Sequence, residues 1–532
     1  MSGPKLERGD ILPLVRRLSG APDPLVLYAG LTDDGKRADT LLLESADAAT
    51  GVGEKSILLP KTMLRLEGRG GLVTLTPLTP NGVALAEFVG ESLRGTAEVS
   101  QDDDRTTIRY TAREAGVRDE QARLKARGPL DVLRAAVFSP RLVSEPALLC
   151  HLAAGIFAYD LVDLYEELPP PNSDPLGYPD FIFWVPEQIL ILDHTHRTTT
   201  IVAPVVGGEA AESSYHDAVR AVEQLSRVVE GARGTAHPAP PIEPPAPWSV
   251  DLDDEAYASM VARLKEHVVS GDVFQIVPSR TFTTKSHDPF AAYVRLRTAN
   301  PSPYMFYLRG PDSTLFGASP ETAVQVDGPT RRVMLRPIAG TAPRGRHLDG
   351  SVDHELDARL QAALITDTKE LAEHMMLVDL ARNDVARVSV PGSRRVTKLL
   401  TVDRYQHVMH LVSEVEGTLA PGLDALHAYA ASLNMGTLVG APKIRAAELL
   451  RQHEPTKRGP YGGAVGYITH GGEMDTAIVI RSALVADGVA HVRAGAGVVL
   501  DSDPLREASE TRSKAAAVVD AILGGAEGGP TA

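Results

Sequence analysis

Six of the ten residues from Pro238 to Pro247 are proline. Proline has no backbone donor and clashes with the preceding helical turn, so this stretch is excluded from helix and sheet interior and favours extended polyproline geometry. It divides the chain. From Leu25 to about Pro204, short apolar runs such as "PLVLYAG", "GLVTLTPL", "DFIFWVP" and "QILILDH" are separated by Gly, Pro and Asp turns and predict strands. A helix is expected from Tyr215, with Val219, Val222, Leu225, Val228 and Val229 close to one stripe. Beyond the prolines, "DEAYASMVARLKEHVVSGD" predicts an amphipathic helix ended by Gly271, and "VFQIVPSRTFTT" the strand after it. A helix from Asp367 to about Leu380, strands through "RYQHVMHLVSEVEG", "AVGYITH", "TAIVIRSALVA" and "VAHVRAGAGVVL", and a terminal helix from Pro504 to Leu523 complete the pattern. The class is α+β in two lobes: 1–206, a helix and proline-rich linker over 207–250, a second lobe over 251–523, and a tail over 524–532 expected to be disordered.

With 532 residues, 43% of them hydrophobic, the chain can bury a large core. Its formal net charge is −15. That balance, without a Lys/Arg block, excludes a nucleic-acid or anionic-membrane surface, so any anionic ligand has to be met by a metal, a few basic residues or helix N-termini. The single cysteine, Cys150 in "ALLCHLA", excludes an internal disulfide and a multi-cysteine metal site and is expected to be a buried packing residue. The first residues carry no apolar signal core, and no apolar run reaches the ~18 residues of a membrane span, so the expected location is the cytoplasm.

Charged residues at helical spacing mark the candidate chemistry. In "DPLREASETRSK", Asp503 is a good N-cap and Pro504 a good first residue, so Glu507, Glu510 and Lys514 share one helix face. Spacing alone favours a solvated face. The preceding "AGAG" weighs against it, because Gly495 and Gly497 strip side chains from alternate positions, as a ligand pressing on the backbone requires. Glu370 and Glu373 repeat the i, i+3 spacing on a helix that Met375, Met376 and Leu377 make look buried, and carboxylates without cysteines suit a hard cation such as Mg²⁺. Strand alternation puts His410 on one face with Val408 and Val412; a histidine satisfied within the sheet and a catalytic one both fit. Arg481 in "VIRSA" ends an apolar strand as an ion-pair partner or a carboxylate clamp. "GTLVGAPK" and "GAGVVL" lack the spacings of phosphate-binding loops.

From about Ala256 to Leu523 the chain resembles the chorismate-binding enzymes, and among them the large subunit (component I) of anthranilate synthase. The motifs are "NPSPYMF", "RPIAGT", "HMMLVDLARNDVARV", "HVMHLVSEVEG", "MGTLVGAPKIRA", "YGGAVGYI", "IVIRSA" and "AGAGVVLDSDPLREASETRSKA". "LLLESAD" in the first lobe resembles that subunit's tryptophan-sensing strand. The resemblance implies the two-lobed fold of large antiparallel sheets flanked by helices, and conversion of chorismate and ammonia to anthranilate and pyruvate. It implies Mg²⁺ held by Glu373 and Glu510, with Glu507 in the acidic shell. It further implies substrate contacts by Gly340, Thr341, Thr437, Tyr461, Arg481, Gly495, Gly497 and Lys514, Glu370 as general acid, and His410 in pyruvate elimination. Relatives that aminate at the other ring position resemble the chain but carry a lysine where it has Ala339. Those that add water carry one where it has Gln275, and both differences point to ammonia at C2.

The resemblance also implies a tryptophan pocket of Glu44, Ser45, Lys55, Pro303, Tyr304, Met305, Val465 and Tyr467, through which tryptophan inhibits. Ammonia implies a separate glutamine amidotransferase subunit in a hetero-oligomer, a heterotetramer by family analogy, since no glutaminase motif surrounds Cys150. Two other readings fit the motifs less well: a synthase that stops at 2-amino-2-deoxyisochorismate, and a silent chorismate- or tryptophan-binding regulator.

Overall fold

The computed structural model describes residues 5–46, 53–102, 104–110, 120–144, 149–238, 247–347, 351–405 and 408–524. The linker expectation falls mainly on 239–246 and the tail expectation on 525–532, outside these residues.

Among the described residues, 23 strands join into one almost wholly antiparallel sheet, and Gln275–Ile276 pairs with Gly440–Ala441 in a second, two-stranded one. Two long strands, Gly53–Arg69 and Phe181–Asp193, organise it. They pair with each other, and the register shifts between Leu58 and Leu64, where Thr62 faces Pro186. Proline cannot donate to the ladder, so the pair bends there, and each half continues into a different layer.

In the first layer the Leu58 end of this pair continues through Thr40–Ala46, Tyr304–Arg309, Ser313–Ser319, Ser482–Ala486, Val489–Gly495 and Ser279–Lys285. In the second, the Trp184 end continues through Leu152–Phe157, Ala464–Thr469, Met474–Ile478, Thr322–Asp327, Arg332–Leu335 and Val408–Thr418. The layers therefore both run from the N-terminal half into the C-terminal half. Between them lies a core of Leu41, Ile57, Ile182, Trp184, Phe306, Leu308, Val465 and Tyr467. Alternate residues such as Leu42, Leu58, Tyr307 and Val485 face outward under the helices Pro24–Thr32, Ala211–Gly231, Pro289–Ala299 and Pro504–Ile522. The other outer face is covered by Pro80–Leu93, Leu130–Phe138, Thr368–Val388 and Ala425–Ser432.

Most expected elements form. The Tyr215 helix begins at Ala211, the helix ended by Gly271 spans Asp254–Val269, and Cys150 is buried. "PLVLYAG" departs from its expected strand: Asp23 accepts a bond from the Leu25 amide, Pro24 opens the first turn, and the segment is helical. A short apolar run does not distinguish strand from buried helix by periodicity. "TAIVIRSALVA" is two strands, broken over Val479, Ile480 and Arg481, and Arg481 has a φ of 50°, a left-handed conformation unusual for arginine.

A buried ion cluster joins the strand ends near this break. Glu454 accepts from the Ser279 amide and hydroxyl at 2.8 Å, from Arg458 at 2.6 and 2.9 Å, and from Arg493 at 2.9 Å. Burial pushes the Glu454 carboxyl up, but the two guanidinium groups outweigh it and hold it below the usual range. Arg458 also donates to the Leu438 and Val277 carbonyls and lies over the Tyr159 ring at 4.5 Å. Removing the one carboxylate leaves buried arginine charge uncompensated, so Glu454→Gln should cost about 3–5 kcal/mol. Urea unfolding monitored by tryptophan fluorescence checks it, and an unchanged midpoint would rule out the cluster as a structural tie.

Candidate active site

Two capped helices bring the carboxylates together. Asp367 accepts from the amides of Lys369 and Glu370 at 2.9 and 3.1 Å and starts the Thr368–Val388 helix. Asp503 accepts from the Arg506 amide at 2.9 Å, with Pro504 in the first turn. Burial raises the pKa of Glu370, and Asp367 and Glu510 raise it further. Burial also raises Glu373, with Glu370, Glu507 and Glu510 adding to the shift and Lys369 opposing it. Glu507 is likewise raised, first by burial and then by Glu510. The four carboxylates thus share one electrostatic neighbourhood. The helix carrying Glu370 is less buried than its methionines suggest: Met375 is 43% exposed, and the covered stripe is His374, Leu377, Val378, Ala381 and Val385.

The basic side meets them from the sheet. Lys514 reaches Glu510 at 2.6 Å and the Gly495 carbonyl at 3.1 Å. Arg481 donates to the Lys514 carbonyl at 2.6 Å, and Tyr461 and Glu510 are its electrostatic neighbours. The left-handed turn at Arg481 directs this guanidinium out of the sheet end toward the terminal helix.

On the side where a Cβ would project, both glycines are packed against protein groups. A Cβ on Gly495 would stand 2.7 Å from the Pro278 carbonyl and 3.0 Å from the Tyr461 hydroxyl, and one on Gly497 2.8 Å from the Gln275 amide nitrogen. Protein groups already fill that space, and two of them are Tyr461 and Gln275. The Gln275 Oε1 is buried with no hydrogen-bond partner among the described residues.

On the opposite wall, Gly340 has a φ of 78°, and a Cβ there would meet Glu370 Oε2 at 3.1 Å. His410 Nδ1 lies 3.2 Å from the Gly340 carbonyl and 3.0 Å from the Thr341 hydroxyl. The carbonyl can only accept, so Nδ1 carries the proton and Nε2 keeps its lone pair. Burial lowers the His410 pKa. Thr437 donates to Glu321 at 3.0 Å. Glu321 was not singled out by sequence spacing; it follows the strand Ser313–Ser319, and burial pushes its carboxyl up to about 8. Its only sequence mark is a carboxylate in the otherwise uncharged run "FGASPETAV".

Among the described residues no three His, Asp or Glu side chains form a ready-made metal cage. A hard dication such as Mg²⁺ takes one or two carboxylates and completes its shell with water and an anionic ligand. Glu373, raised by burial and by neighbouring carboxylates, and Glu510 on the facing helix fit that donor set.

Seven of the eight residues expected to bind tryptophan, all but Pro303, line one cavity of the inter-layer core together with Asp475. Glu44 is already engaged there, accepting from Tyr293 and from Arg297 at 3.0 and 3.1 Å. Lys55 sits 5.5 Å from the Tyr467 ring centroid, and the Ser45 hydroxyl is 3.4 Å from the Lys55 carbonyl. Asp475 accepts from Tyr304 at 3.0 Å and from Gln325 at 2.9 Å, and burial raises its pKa.

Comparison with known proteins identifies the family. Residues 92–520 match the family model described as chorismate binding enzyme. The chain is 47% identical to anthranilate synthase component 1, pyocyanine specific, of Pseudomonas aeruginosa, over 91% of this chain and 90% of that protein. It is 44% identical to anthranilate synthase component 1 of Escherichia coli, over 94% of each. Among solved structures, anthranilate synthase component I from Streptococcus pneumoniae superposes with a TM-score of 0.68 at 31% identity, covering 88% of this chain and 92% of that one. No described helix is long and apolar enough to cross a membrane. With the family model spanning most of its length and these relatives matching nearly end to end, the chain belongs to the chorismate-binding enzymes.

Proposed function

We propose that the chain is the chorismate-converting component of an anthranilate synthase, making anthranilate and pyruvate from chorismate and ammonia. The observation that carries the reading is the juxtaposition of a carboxylate-rich wall, a basic wall of Arg481 and Lys514, and a neutral histidine. A ring dicarboxylate fits between such walls. Arg481, Tyr461, Lys514 and the backbone at Gly495 and Gly497 would hold the enolpyruvyl carboxylate, and Thr341 and Thr437 would offer hydroxyls to the ring. Glu373 and Glu510 would hold Mg²⁺, with Glu507 beside them. Mg²⁺, when bound, supplies Lewis acidity at the ring carboxylate.

Amination requires a bond from ammonia nitrogen to C2, a shift of the ring double bonds and loss of the C4 hydroxyl as water. The hydroxyl needs a proton. Glu370 and Glu321 both have carboxyls held above the ordinary range, and Glu321, protonated up to about pH 8, is the stronger candidate at neutral pH. The new ammonium group then sheds a proton, which returns the carboxylate to its acid form. Gln275 supports ammonia over water: its buried Oε1 can accept from an incoming N–H and cannot deprotonate water. Elimination follows when His410 Nε2 takes the C2 proton and the C3–O bond breaks as the ring becomes aromatic; the departing enolpyruvate takes up a proton at its methylene carbon to become pyruvate.

Ammonium predominates at neutral pH, so an amidotransferase subunit acting on glutamine is the partner in this reading, in a heterotetramer by family analogy. Tryptophan in the inter-layer cavity would act as feedback inhibitor by binding one lobe arrangement more tightly.

Purified chain given chorismate, Mg²⁺ and ammonium at mildly alkaline pH should release anthranilate and pyruvate in equal amounts, and glutamine should not replace ammonium. Mass spectrometry distinguishes this from accumulated 2-amino-2-deoxyisochorismate, which would favour a synthase that stops after amination. Ser45→Phe should weaken tryptophan inhibition at least about tenfold by filling the cavity, with turnover little changed; inhibition titrations decide it. The Glu321 carboxyl is raised in the folded chain, so its stabilising contribution is complete below its ordinary pKa and is lost as pH rises through about 8. The melting temperature should therefore fall between about pH 5 and 8 more steeply for the native chain than for Glu321→Gln.

A further inference from the structure

We propose that Tyr405 is the positioning residue of His410: its ring fixes the imidazole so that Nε2 meets the C2 proton, and it thereby decides whether the aminated intermediate is completed or released. The proposal rests on the reading of His410 as the base of the elimination step.

Among the described residues, His410 is held at one ring atom only. Both polar contacts, to the Gly340 carbonyl and the Thr341 hydroxyl, end on Nδ1. A ring anchored at one corner can still swing, and such a swing displaces Nε2, the atom that would act. Tyr405 closes this freedom. It follows the strand Arg395–Arg404, whose Asp403 pairs with His410 across the hairpin, and its ring meets the imidazole edge-on, with centroids 5.1 Å apart and planes at 77°.

The tyrosine is itself fixed. Its amide donates to the Val408 carbonyl at 2.8 Å, and its carbonyl accepts from Arg344 at 2.7 Å. Arg344 is locked in turn on the buried Asp357 by bonds of 2.8 and 3.2 Å. The phenol oxygen, by contrast, is buried without a hydrogen-bond partner among the described residues. The contact with His410 is made by the ring, so the hydroxyl is dispensable for this role.

The experiment follows both half-reactions with chorismate, Mg²⁺ and ammonium, counting anthranilate, pyruvate and 2-amino-2-deoxyisochorismate, with His410→Asn as comparator. Tyr405→Leu should slow pyruvate release about ten- to hundredfold while chorismate is still consumed, so that the aminated intermediate accumulates with little change in KM. Tyr405→Phe, which keeps the ring, should restore the native product ratio. If Tyr405→Leu does not fold, Tyr405→Met asks the same question. A merely structural residue would lower both half-reactions in proportion, and that result, or equal defects in the Phe and Leu variants, overturns the proposal. Should His410→Asn accumulate the intermediate while Tyr405→Leu does not, Tyr405 alone is misassigned; if neither does, the reading of His410 falls with it.

Discussion

Glu454 is the fixed point from which the basic side of the site is built. Its carboxylate takes up hydrogen bonds from three chain segments: the Ser279 end of one strand, Arg493 inside the neighbouring strand, and Arg458 on the loop that leads to Tyr461. Two buried cations and one buried anion would be expensive apart, and here every oxygen of the anion is occupied. The consequence lies a few residues away. Arg493 is two positions before Gly495 and Arg458 three before Tyr461, so fixing both arginines fixes the close approach of the Tyr461 hydroxyl to the Gly495 backbone. Asp160 extends the tie into the N-terminal half by accepting the Gly459 amide at 2.8 Å and Arg451 at 3.3 Å.

An acidic protein that takes a dicarboxylate has to solve its electrostatics locally. The net charge of −15 is distributed over the whole chain, yet the basic wall consists of one part-buried guanidinium bonded to the Lys514 carbonyl and one ammonium bonded to the Gly495 carbonyl. Facing them, the carboxyls of Glu370, Glu373 and Glu507 are raised by burial and further by neighbouring carboxylates, which stores affinity for a cation. Charge separation over so short a distance suits a substrate with two carboxylates better than one with a single charge.

Much of this was legible in the sequence because caps and periodicity are local. Asp367, Asp503 and Pro504 start their helices where their chemistry predicts, and the i, i+3 carboxylates do face a shared point. What was not legible depends on long-range contacts. The "PLVLYAG" helix, the exposure of Met375 and the filling of the space beside Gly497 by Gln275 are set by neighbours distant in sequence. Glu321 is the clearest case. A single glutamate after a proline carries no periodic signal, and its raised pKa arises only when the surrounding strands and Thr437 have enclosed it. The two-lobe division suggested by the prolines likewise says nothing of the sheet, whose two layers both carry hydrogen bonds from one half of the chain to the other.

That shared sheet bears on regulation. The cavity containing Ser45 and Tyr467 is walled by the pairing of Thr40–Ala46 with Tyr304–Arg309 and by the strand Ala464–Thr469. The same Ala464–Thr469 strand begins three residues after Tyr461, which the Glu454 cluster holds against Gly495. A ligand wedged between the layers cannot move Tyr467 without straining its ladder to Met474–Ile478, and that strand leads through Ile480 directly into the left-handed turn of Arg481. Tyr461 and Arg481 thus lie at the two ends of one hairpin whose middle lines the cavity. Packed cores shift between discrete arrangements and do not deform smoothly. A small displacement at the hairpin's centre is therefore felt at both of its ends together, which ties a cavity lined by both halves of the chain to Tyr461 and Arg481.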